Sequence, residues 1–187
     1  WALSVLGRKE EAIQSYDKAV DIKPDLHEAW YSRGWALSVL GRNEEAIQSY
    51  DKAVDIKPDD HEAWNTRGNA LFDLGRNEEA IQSYDKALDI KPDYHAAWDN
   101  RGVALSALGR NEEAIQSFDQ ALQIQPDFAN AYYNKACCYG LQQNIELAIE
   151  TLRQAITLDS DCQEMAKTDP DFDRIRNDDR FRALIGE

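Results

Sequence analysis

Three histidines recur at one fixed step, His27, His61 and His95, each 34 residues from the next, and imidazole is a common ligand for zinc. A shared ion would need all three rings around one point. If 34 residues make one structural unit, equivalent positions on stacked helices lie about 8 to 10 Å apart, too far for one ion. They are therefore read as surface residues of a first helical turn, and no metal is expected. Carboxylate pairs recur in the same way, Glu44 and Glu45 matching Glu78 and Glu79, as the N-terminal end of a helix dipole favours. Nothing around them implies the cleft or shifted pKa that acid-base work requires. Cys137 and Cys138 are adjacent, and no histidine follows His95 to activate either thiol. They read as small apolar filler, and the glycines come singly, without a phosphate-cradling loop. No catalytic residue and no cofactor is expected, and the chain is not read as an enzyme.

The same 34-residue step organises everything else. Pro24, Pro58, Pro92 and Pro126 keep it, as do Gly7, Gly41, Gly75 and Gly109, and Trp30, Trp64 and Trp98 are followed by Tyr132 in the next slot. Within one period, EEAIQSYDKA from Glu44 to Ala53 places Ala46, Ile47, Tyr50, Ala53 and Val54 on one helical face. A first helix from about Asp59 to Leu74 carries Ala63, Trp64, Gly68, Leu71 and Leu74 as its stripe. Pro58 ends the helix before it, Asp59 with Glu62 is expected to form a capping box, and Gly75 closes it in a left-handed conformation. Neither helix buries its stripe alone, so neighbouring pairs must stack, with Gly68 and Ala80 allowing close approach and Trp64 and Tyr84 filling the space. The periodic aromatics are core, and the architecture is an α-solenoid.

These residues resemble the tetratricopeptide repeat, whose pattern runs Trp, Gly, Ala, aromatic, Ala, Pro. Trp64, Gly68, Ala80, Tyr84, Ala87 and Pro92 follow it, and so do Trp98, Gly102, Ala114, Phe118, Ala121 and Pro126. The resemblance implies an all-α, right-handed solenoid of antiparallel helix pairs over residues 1–160. The repeats run 25–58, 59–92, 93–126 and 127–160, after a partial first repeat at 1–24. WALSVLGR from Trp1 to Arg8 is identical to Trp35 to Arg42, so the chain is expected to begin halfway through a first helix and to belong to a longer array. The fifth repeat departs from the pattern: Tyr132 stands for Trp, Ala136 for Gly, Leu152 for the aromatic and Ser160 for Pro. From Asp161 the period fails, and residues 161–187 resemble a closing segment. Short helices are expected near Cys162 to Lys167 and near Asp178 to Ile185. Phe172, Ile175, Phe181, Leu184 and Ile185 would cover the end of the stack, while Arg174, Arg176, Arg180 and Arg182 face water.

In the resembled family the first helices line a concave groove. Here the second helices are near copies, whereas the first helices differ at the groove-facing slots. One slot holds Tyr31, Asn65, Asp99 and Tyr133, and another Trp35, Asn69, Val103 and Cys137; Phe72 and Asp73 occupy two more. Trp35 and Phe72 suit binding anchors. Asn100 and Asn134 match the Asn with which relatives clamp a ligand's backbone. The expected peptide-binding residues are thus Tyr31, Trp35, Asn65, Asn69, Phe72, Asp73, Asp99, Asn100, Val103, Tyr133 and Asn134. The Lys and Arg of the family's carboxylate clamp are missing, their positions holding Ala96, Asn130 or Asn134.

Charge then limits the partner. Asp and Glu outnumber Lys and Arg by 35 to 21, for a net charge of -14, which repels nucleic acid and anionic membranes. No apolar run approaches the roughly 18 residues of a membrane span. The expected partner is a protein or peptide, neutral to basic, with apolar anchors. A second possibility is a homo-oligomer, stacked through the N-terminal face of Ala12, Ile13 and Tyr16. A third is that the array recruits substrate for a catalytic domain elsewhere in a longer chain. The odd count of three cysteines suits reduced thiols, so a cytoplasmic location is expected.

Overall fold

Each 34-residue period folds as two helices because its apolar residues recur every three to four positions and a glycine separates the two stripes. The computed structural model describes residues 2–186, with side chains from Arg8 onward; Trp1, where the WALSVLGR match begins, lies outside the described residues. Two compact units follow one another, divided after Pro92. The first contains α1 (Ala2–Ile22), α2 (His27–Val39), α3 (Asn43–Ile56), α4 (His61–Asp73) and α5 (Asn77–Ile90). The second contains α6 (His95–Ala107), α7 (Asn111–Ile124), α8 (Ala129–Leu141), α9 (Ile145–Leu158) and α10 (Asp161–Thr168). A 3-10 turn at Pro170–Phe172 and α11 (Asp179–Ile185) complete it. The fold class is all-α, and no strand occurs among the described residues.

Inside three of the pairs, an aromatic ring of the second helix packs directly against a glycine of the first. A Cβ placed on Gly34 would stand 2.7 Å from the Tyr50 ring, and one on Gly68 or Gly102 would stand 2.5 Å from Tyr84 or Phe118. No methyl fits there. The fifth repeat changes both partners together: Ala136 replaces the glycine and Leu152 the ring, and both are fully buried. The slimmer leucine makes room for the methyl. Between the helices of a pair, Gly41, Gly75 and Gly109 adopt φ of +72° to +74°, and Gln143 takes the same slot with φ 59°, so the left-handed turn persists without glycine.

A second repeating contact was not legible in the sequence. Arg33 donates from Nε to Asp17 Oδ1 at 2.7 Å and from Nη1 to Ser49 Oγ at 2.6 Å. Arg67 does the same with Asp51 at 2.6 Å and Ser83 at 2.7 Å. In the second unit Arg101 reaches Ser117 at 2.7 Å, and Lys135 reaches Asp119 at 2.6 Å. Each cation ties a first helix to a second helix beside it. The tryptophans are fixed likewise, Trp30 and Trp64 donating from Nε1 to the carbonyls of Pro24 and Pro58 at 2.8 and 2.9 Å.

Four local expectations need correction. The cap of α4 is Asp60, whose side chain accepts from the amides of Glu62 and Ala63; the helix starts at His61, so the capping slot falls one residue after Asp59. Gly7 lies within the continuous helix α1 instead of ending a separate helix. On α1, Ile13 is buried, while Ala12 and Tyr16 are half-buried. Arg176 does not face water: it donates to the carbonyls of Ala166, Lys167 and Asp169 and to Asp173 Oδ1. It thereby satisfies the carbonyls freed where α10 ends. Phe172, Ile175, Phe181 and Ile185 are buried with Cys162 and Ala166 against Ala136, Leu152 and Ala155.

The glycine-ring contact yields the first prediction. Gly68→Ala is expected to destabilise the protein by about 1–3 kcal/mol in urea denaturation, because the Tyr84 ring must be displaced. Adding Tyr84→Leu, which reproduces the Ala136 and Leu152 pair, should recover part of that loss.

Candidate functional site

In the first unit, the wall formed by the first helices is open between α2 and α4. Trp35 and Val39 lie one turn apart on α2 and are 49% and 51% exposed. Across from them on α4, Asn69 and Asp73 are also exposed. With Ser38, Tyr50, Thr66 and Ala70 they line a cleft of about 290 Å³. The Asn69 side-chain oxygen accepts from the Tyr84 hydroxyl at 2.9 Å, which fixes the amide's orientation. Asp73 faces the side-chain amide of Asn43 at 3.5 Å. The Lys9 ammonium lies 3.3 Å from the centre of the Trp35 ring, a cation-π contact. Tyr31 is half-buried, with ring contacts to His27 and Tyr50. Phe72 is half-buried and is not part of the cleft lining.

Three of the expected groove residues turn inward. Asn65 is 6%, Asp99 7% and Tyr133 5% exposed. Their shared slot lies at a seam between helices: Asp99 on α6 accepts from the Asn134 amide of α8 at 3.2 Å. Burial pushes the Asp99 carboxyl up to about 6, the Asn134 hydrogen bond opposing it only in part. Asn100, Val103 and Asn134 are half-buried.

In the second unit the C-terminal segment covers α8. The Tyr133 hydroxyl donates to Asp169 Oδ2 at 2.7 Å, the Cys137 thiol lies 3.7 Å from the same oxygen, and Asp169 Oδ1 accepts from the Asp171 amide. At Gly140 a Cβ would stand 2.8 Å from the Asp171 carbonyl, so the segment touches bare backbone. Cys137, Asp169 and Asp171 bring their donor atoms within 4.8 Å of one another. Both Asp169 oxygens already accept hydrogen bonds, so the group is a latch for the cap. Sequence spacing gave no sign of it, because Tyr133 and Asp169 are 36 residues apart.

The three thiols are held in their neutral form. Burial, first of all, pushes the Cys137, Cys138 and Cys162 thiols up, the reverse of what a nucleophilic thiolate needs. All three cysteines are free and buried. His27 Nε2 lies 3.0 Å from Asp60 Oδ2, and His95 meets the Phe128 ring edge-on at 5.2 Å between centres.

A TPR-repeat family model matches residues 5–38, 39–75, 68–109 and 104–143, and a tetratricopeptide repeat model matches residues 129–162. No curated protein matches the chain. Among solved structures, MamA is 23% identical, with a TM-score of 0.79 over 84% of this chain and 92% of its own. PilW, a widely conserved type IV pilus biogenesis factor, is 24% identical, with a TM-score of 0.78 over 94% and 82%. YrrB, described as a TPR protein with an unusual peptide-binding site, is 26% identical, with a TM-score of 0.73 over 86% and 82%. At such identities the first two bear on the fold alone.

Two predictions follow from the buried polar groups. The folded pKa of Asp99 lies above its unfolded value of about 3.9, so its favourable contribution is complete below about pH 4 and is lost as the pH rises through about 6. Asp99→Asn is therefore expected to stabilise the protein by about 2 kcal/mol at pH 7 and to lose that advantage below about pH 4, as measured by urea denaturation. Tyr133→Phe, which removes the latch bond, should cost about 1–3 kcal/mol and speed amide exchange in α10 and α11.

Proposed function

Because this chain belongs to the tetratricopeptide repeat family, we propose that it is a scaffold that holds a peptide or protein segment on the open face of its first helices. The observation that carries this reading is the cleft between α2 and α4, where Trp35 and Val39 are exposed beside Asn69 and Asp73. A large aromatic side chain left half in water costs free energy until a partner covers it, and such residues dominate binding energy. That YrrB has a peptide-binding site supports the same use of the fold here. The partner is neutral to basic, as the net charge of -14 and the exposed Asp73 favour. Residues 1–160 act as the repeat array and 161–187 as its cap. Of the expected binding residues, Trp35, Asn69 and Asp73 lead in the first unit, with Tyr31 and Phe72 secondary to them; in the second unit the expected residues left half-buried are Asn100, Val103 and Asn134.

Binding, and not catalysis, is the proposed activity, since burial holds the thiols protonated. No helix among the described residues is long and apolar enough to cross a membrane, and three unbridged cysteines suit a reducing cytoplasm. A second reading is self-association through α1. A cleft of about 340 Å³ lined by Arg8, Lys9, Ala12, Tyr16, Trp35 and Ala36 favours it. Light scattering at two concentrations separates the readings, a strict monomer excluding the second.

A pull-down comparing the protein with its Trp35→Ala, Phe72→Ala variant tests the main reading. The variant is expected to lose the captured partner, and the wild type to hold it more tightly at low salt than at high salt. Equal capture by both would place binding elsewhere.

A further inference from the structure

Resting on the reading above, we propose that the cleft between α2 and α4 is a receptor for one basic side chain, an arginine of the bound segment. Its two edges differ in chemistry. Trp35 and Val39 form an apolar edge along α2, and Asn69 and Asp73 a polar one along α4. An arginine matches both at once: its methylene stem covers apolar surface, its planar guanidinium stacks on an indole, and its fork of N-H groups meets a carboxylate. Asp73 is exposed and pairs with no cation among the described residues, its contact being the neutral amide of Asn43. The Trp35 ring already draws a cation inside this molecule, the Lys9 ammonium at 3.3 Å. That ammonium sits over the ring and disfavours a second cation on the same face. The incoming guanidinium therefore sits toward α4, against Asp73.

The equivalent slots in the second unit hold Val103 and Ala107 on α6, with Cys137 and Leu141 on α8. They offer no carboxylate, and Cys137 is buried. The preference for a basic side chain belongs to the first unit.

A phage-displayed library of random linear peptides, selected in parallel on the wild type, Trp35→Ala, Asp73→Asn and Asp73→Lys, tests the proposal. Circular dichroism melts would confirm that each variant folds. The wild type is expected to enrich peptides with an arginine at one fixed position beside an apolar residue, and both Asp73 variants to lose that arginine while keeping the apolar residue. In a selected peptide, replacing the arginine by glutamine should weaken binding about tenfold, with lysine falling between. Lys9→Gln should tighten binding of the arginine peptide. Enriched peptides that depend on Trp35 but show no basic position, or keep it on Asp73→Lys, would overturn the arginine receptor and leave the peptide-binding reading standing. Failure to enrich any peptide, or enrichment indifferent to Trp35→Ala, would overturn both.

Discussion

The approach of an aromatic ring to a bare backbone governs the rest of this protein. Where Tyr50, Tyr84 and Phe118 lie against Gly34, Gly68 and Gly102, no atom beyond the glycine hydrogens fits between the helices. That contact sets the spacing within a pair and fixes the rotation of each first helix about its axis. The rotation in turn decides which side chains face the seam and which face out. The exposure of Trp35 and Val39 is thus a consequence of where Gly34 must point. The exchange to Ala136 and Leu152 in the fifth repeat shows that the combined volume of the two partners matters more than either identity.

Charge follows the same geometry. The second helices are rich in acids, and the cations that would balance them are committed to internal pairs: Arg33 to Asp17, Arg67 to Asp51, Arg42 to Glu45 and Arg76 to Glu79. The arginines of the last two pairs are well exposed to solvent, so these contribute little singly. Arg33 and Arg67 are better sheltered and each bridges two second helices. Among the described residues, the wall acid Asp73 has no cationic partner, its contact being the Asn43 amide.

The cap shapes the second unit in a different way. By seating Phe172 and Phe181 on α8 and α9 and latching Asp169 to Tyr133, it buries a face that would otherwise be a row of groove positions. The same residues that shield the apolar end of the unit also withdraw Tyr133 and Cys137 from any ligand.

What the sequence determined by itself was everything encoded locally and then repeated: the 34-residue step, two helices per step, the glycine turn between them, and the pairing of a small residue with a ring. Recurrence made these legible, because each depends on spacings shorter than one repeat. The exposure of a given wall residue was not legible. Tyr31, Asn65, Asp99 and Tyr133 occupy one slot in the sequence, yet the first is half-exposed and the other three are buried. The arginine ladder joins residues 16 positions apart in both directions, and the cap latch joins residues 36 apart. Only the tertiary structure decided these, because whether a side chain meets water or a neighbour depends on where a distant segment comes to rest, and no spacing within one helix records that.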